Sequence, residues 1–79
     1  MDDRPAQETL DAIGNLLMVG KEHDVGITFT PDPGGWQVGY MRGMGGGDLS
    51  SAVDLHTATV AAYRPLLELI RHLQERSRG

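Results

Sequence analysis

Val25-Gly26-Ile27-Thr28-Phe29-Thr30-Pro31-Asp32-Pro33-Gly34-Gly35-Trp36-Gln37-Val38-Gly39-Tyr40-Met41 is the stretch that decides the fold. Val25, Ile27 and Phe29 alternate with Gly26, Thr28 and Thr30, the period of a half-buried strand. Pro31 to Gly35 is dense in residues that favour turns and cannot continue a ladder. Trp36, Val38 and Tyr40 then alternate with Gln37, Gly39 and Met41. The pattern predicts a β-hairpin over residues 25–41 whose apolar face carries Val25, Ile27, Phe29, Trp36, Val38 and Tyr40. Trp36 and Tyr40 also have the chemistry of a base-stacking platform. Their alternation with Val38, and the lack of interleaved cations other than Arg42, place them in a core instead.

Upstream, the sequence predicts a helix over residues 5–19. Pro5 suits a first helical turn and Asp2 or Asp3 can cap its amides. Leu10, Ile13 and Leu17 form one stripe, with Leu16 beside it, and Gly20 reads as the stop. Gly14 lies on the Leu10 and Leu17 face. A glycine inside a helix costs about 1 kcal/mol against alanine, so its presence predicts close approach by another element.

Downstream, Arg42-Gly43-Met44-Gly45-Gly46-Gly47-Asp48 reads by composition as a Gly-rich loop over residues 42–48. Two readings of the next residues stand side by side. Ser51 to Asp54 fits a capping box opening a long helix. Val53 and Leu55 alternating with Asp54 and His56 fit a short third strand, with Thr57 capping a later helix. In either case a C-terminal helix runs through Val60, Leu66, Leu69, Ile70 and Leu73 to about residue 76. Pro65 predicts a kink in it, or two helices meeting there. Leu67 and Ile70 widen its apolar arc beyond Leu66, Leu69 and Leu73.

The expectation is therefore one α+β domain over residues 1–79, of order α-β-β-(β)-α: a hairpin or small antiparallel sheet with two helices packed on one face. With the third strand present, the order resembles that of the double-stranded-RNA-binding domain. That family opens its last helix with lysines after a glycine loop. The equivalent stretch here, Thr57-Ala58-Thr59-Val60, has none, so the family's function is not carried over.

Composition narrows the chemistry further. The 79 residues include no cysteine, which removes disulfides and thiolate zinc. The net charge is −4, and the residues before Val25 hold Asp2, Asp3, Glu8, Asp11, Glu22 and Asp24. An acidic chain lacks the electrostatic footprint of a nucleic-acid binder. The acidic start lacks the basic and apolar regions of a signal peptide, and the longest apolar run, Leu16 to Val19, is far short of a membrane span. The expected location is the cytoplasm.

His23, His56 and His72 are scattered, and no nucleophile, base and orienting group assemble by spacing. No catalytic residue, metal ligand or cofactor site is expected. The Gly-rich loop lacks the Lys-Ser/Thr ending of a phosphate-binding loop, and Asp48 opposes an anion there. Three functional readings follow. The leading one is a non-catalytic protein-interaction module that self-associates as a homodimer. It is of the type with which phages and mobile elements modulate or inhibit a host protein. The alternatives are a small anionic or nucleotide ligand at the Gly-rich loop, and mimicry of nucleic acid by the acidic first helix. The residues expected to carry interaction are Asp3, Glu8, Asp11, Met41, Met44, Leu67 and Ile70. For Met41 and Met44, an adaptable contact surface and plain exposure are both open.

Overall fold

A computed structural model describes residues 6–78. Its elements are α1 (Gln7–Glu22), β1 (Gly26–Asp32), β2 (Gly35–Arg42), β3 (Gly45–Ala52), α2 (Leu55–Ala61) and α3 (Tyr63–Arg78). The three strands form an antiparallel meander in the order β1-β2-β3. The class is α+β, with α1 and the bent α2–α3 unit on one face of the sheet.

The hairpin forms because both strands alternate in phase. Ile27 pairs with Tyr40, Phe29 with Val38 and Pro31 with Trp36, so the apolar side chains of the two strands other than Met41 lie on the helix side. Val38 is fully buried, and Ile27, Phe29, Trp36 and Tyr40 pack around it. The other face carries the rows Thr28–Gly39–Asp48 and Thr30–Gln37–Ser51, which are polar or small. At the first turn Pro33 follows Asp32, whose carboxylate accepts the Gly34 N–H at 2.8 Å.

The Gly-rich loop expected over residues 42–48 is instead a second tight turn and half of a strand. Gly43 and Met44 are the only residues between β2 and β3, and Gly43 has φ 61°. A glycine with positive φ at the first central position is what a two-residue hairpin turn requires. Gly45, Gly46 and Gly47 then pair with Arg42, Met41 and Tyr40. A Cβ on Gly47 would lie 3.1–3.4 Å from the Tyr40 ring; the ring thus covers the bare glycine backbone. The third strand is real, but it spans Gly45–Ala52, earlier than the Val53–His56 alternation placed it. Between Asp48 and Ser50 the register shifts, and Leu49 is the extra residue of a bulge, packed against the core.

Asp54, rather than Ser51 or Thr57, caps α2. Its carboxylate accepts the Thr57 N–H at 2.8 Å and the Thr57 hydroxyl at 2.9 Å. Those bonds hold its carboxyl below the usual carboxylate range. The helix breaks at Ala62, and Pro65 falls in the first turn of α3, where its missing N–H costs nothing.

At the other end, the expected capping by Asp2 or Asp3 and the helix start at Pro5 lie outside the described residues. α1 is preceded by Ala6, which makes no side-chain cap bond. The helix does not stop at Gly20 but runs to Glu22. It ends in a Schellman-type reversal: Val25 N–H donates to Gly20 O at 2.8 Å and Asp24 N–H to Lys21 O at 3.3 Å. Asp24 takes the left-handed conformation, φ 61°, that this reversal needs.

The close-approach glycine of α1 is Gly20, not Gly14. A Cβ on Gly20 would sit 2.5 Å from Val25 O and 3.2 Å from Ile27 Cγ1, whereas nothing lies within 4 Å of one on Gly14. The contact at Gly20 fixes the rotation of α1. Thr9, Leu16 and Gly20 point inward, and the expected inner stripe turns to the side, leaving Leu10 47% and Leu17 43% exposed.

Two stability predictions follow from α1. Gly14→Ala should raise stability by about 1 kcal/mol, the helix-propensity gain at an unobstructed site, while Gly20→Ala should lower it despite the same gain, because a methyl must displace backbone. Urea melts of both variants compare the signs directly. Asp24→Gly should also stabilise, by at most about 1 kcal/mol, since only the left-handed strain is removed; a lower urea midpoint would contradict the reversal described.

Candidate interaction surface

The core explains which surfaces remain. Leu16, Val25, Val38, Ala58, Ala62, Leu66 and Ile70 are buried together. The buried polar groups are satisfied. The Thr59 hydroxyl donates to Leu55 O at 2.7 Å, and Thr9 Oγ1 lies 3.2 Å from His56 Nδ1. The Ser50 hydroxyl donates to Ala58 O and the Tyr63 hydroxyl to Ala12 O at 3.2 Å, tying α2 to β3 and α3 to α1. These bonds join structural elements, and among the described residues no three His, Asp or Glu side chains gather as a metal site.

The residues singled out in the sequence do not form one patch. Asp3 lies outside the described residues. Glu8 and Asp11 are exposed on α1, where Asp11 accepts a bond from Gln7 Nε2 at 2.9 Å. They sit on the helix away from its apolar side. Met41 is exposed between Gly26 and Gly46 on the outer sheet face, and Met44 caps the second turn, fully exposed.

On α3 the expected arc separates. Ile70 is only 5% exposed, whereas Leu67 is 54% exposed. The reason is helical spacing: Ile70 is four residues from Leu66 and three from Leu73, so it shares their inner stripe, and Leu67 stands off it. A shallow hollow of about 400 Å³ follows Leu67, lined by Tyr63, Arg64, Glu68 and Arg71 from this one helix.

A further surface lies along the other side of the molecule. α1 packs on β1 and α2, whereas α2 covers β2 and β3. α1 therefore stands over the β1 margin of the sheet. Its α2 side is marked by Thr9 and Ala12, which meet His56 and Tyr63. By helical geometry Leu10, Ile13, Leu17 and Lys21 lie on the opposite flank, above the free edge of β1. Leu17 and Lys21 meet Asp24, Val25, Gly26 and Ile27 in an open groove of about 550 Å³.

Beside that groove runs an edge strand whose outer backbone groups pair with no strand among the described residues. Proteins blunt such edges with charge, proline or bulges. β3, the other edge, has its bulge and Asp48. β1 has Pro31 and Asp32 only at its end, and Gly26 to Thr30 carries no charge. The signal for this surface was present in the uncharged strand, but its neighbour, the rotated α1 flank, depends on the Gly20 contact.

Among the described residues, no helix is long and apolar enough to cross a membrane. Compared with protein-family models, curated proteins and solved structures, the chain matches none.

The division of α3 is directly measurable. Ile70→Ala should cost about 2–4 kcal/mol as a buried aliphatic truncation, and Leu67→Ala no more than about 0.5 kcal/mol as a surface change. Equal costs in chemical denaturation would place both residues in the same environment.

Proposed function

We propose that this chain is a non-catalytic protein-binding module that takes up an extended segment of polypeptide along β1. The observation that carries this reading is the juxtaposition at one margin of an uncharged, unblunted strand edge and an apolar groove. Added strands gain affinity from main-chain hydrogen bonds and specificity from pockets for alternate side chains. The edge offers the first and the groove beside Leu17 and Ile27 the second.

This reading is favoured over the two others on physical grounds. The ligand reading relied on free glycine amides before a helix, but Gly45 to Gly47 are paired in β3 and the start of α2 is capped by Asp54. The mimicry reading relied on a row of carboxylates, and α1 carries none between Asp11 and Glu22, a gap of about 16 Å along the helix. Binding without chemistry lets so small a chain act on a larger protein by occupying its surface.

The test is capture of proteins from the native cell by the immobilised chain, with quantitative mass spectrometry across three forms. Wild type and Leu67→Glu should retain the same proteins, and Leu17→Glu should lose them. Retention unaffected by Leu17→Glu, in protein that gives the wild-type circular dichroism spectrum, would remove the β1 margin from consideration.

A further inference from the structure

Resting on the proposed binding margin, we infer that its occupant is a second copy of this chain, joined to the first as a two-fold dimer through β1 and α1. Consider a two-fold axis normal to the sheet at the β1 edge. It sets β1 antiparallel to its mate, keeps both sets of helices on one side and converts two three-stranded sheets into one of six strands. Ile27 and Phe29 face the helices in both copies, so the joined sheet keeps a continuous apolar face.

The same axis acts on α1. Because α1 overhangs β1 with Leu10 and Leu17 on its outer flank, the operation that pairs the strands also brings the two α1 helices side by side, antiparallel. Leu10 and Leu17, 47% and 43% exposed, then cover their counterparts. Few other shapes meet a strand edge and an overhanging apolar helix at once; a copy of the same margin does so by symmetry.

Charge agrees with this choice. The chain carries −4 overall, which opposes association at most surfaces. The groove, however, is lined by one cation and one anion, Lys21 and Asp24. The two offset each other, so the groove itself carries no net charge to oppose a second copy. Size adds a motive. The buried apolar core is small, seven residues among those described, and association is a general remedy for a core of that size.

The decisive experiment is light scattering coupled to size exclusion on the full chain through the low micromolar range. It includes Leu10→Glu, Leu17→Glu and Leu67→Glu, each checked for folding by circular dichroism. Wild type and Leu67→Glu should elute with twice the 8.6 kDa chain mass. Leu10→Glu and Leu17→Glu should dimerise roughly tenfold more weakly or worse, as buried contact residues do. Hydrogen exchange should show β1 amides protected in wild type and exposed in the Leu17→Glu monomer. A wild-type monomer at every concentration overturns the dimer. So does a dimer broken by Leu67→Glu but not by the α1 variants. If the wild type is monomeric while Leu17-dependent capture of another protein persists, the margin stands and only self-occupancy fails. If neither occurs, both fail.

Discussion

The contact between the last turns of α1 and the first residues of β1 governs the rest of the structure. Gly20 has no side chain, so the helix backbone settles against Val25 O and the Ile27 side chain. The chain then reverses within His23 and Asp24, because the Gly20 and Lys21 carbonyls accept the amides that follow. One close approach thus sets the height, rotation and direction of α1 over the sheet. Leu16 becomes the fully buried residue, and Leu10 and Leu17 are carried to the margin. Had a larger residue stood at 20, the helix would ride away from β1 and the groove beside it would not close.

The second organising feature is the way β2 makes a strand of a segment that has little strand character of its own. Gly45-Gly46-Gly47-Asp48 contains no β-branched or aromatic residue. Strand formation depends on cross-strand packing more than on intrinsic preference, and here Tyr40 supplies it by laying its ring over Gly47. The bulge that follows re-aims the chain so that Leu49 joins the core and Ser50 reaches Ala58 O. In this way the sheet edge on the β3 side is bent and charged, while the β1 edge is left straight and uncharged. The difference between the two edges gives the molecule a distinct binding side.

The core that results is small, and two of its buried residues are threonines. Thr59 returns its hydroxyl to its own helix, and Thr9 meets His56 across the α1–α2 contact. These bonds avoid the cost of an unsatisfied buried group, and among the described residues no buried side-chain polar atom lacks a partner. Tyr63 closes the arrangement from the side, bonding α3 to the Ala12 carbonyl. Among the described residues, α3 presents only Leu67 as a large exposed apolar residue, against Leu10 and Leu17 at the α1 margin.

The sequence by itself determined the elements whose signal is local. Alternation from Val25 to Met41 identifies the hairpin and its inner face, because side chains on a strand change sides at every residue. Pro65 marks the bend because a proline is tolerated in the first turn of a helix and not in its interior. Tertiary structure alone decided what depends on a partner in space. The Leu10 stripe and Leu16 are neighbours on α1, and only the Gly20 contact selects which of them turns inward. Gly45 to Gly47 resemble a loop until β2 pairs with them. Ile70, grouped in the sequence with Leu67 as an outward extension of the arc, is buried instead, because it stands four residues after Leu66 and three before Leu73. The margin at β1 has the same dual origin. Its uncharged strand is written in the chain, but its position as an edge beneath an apolar helix exists only once the sheet order and the rotation of α1 are fixed.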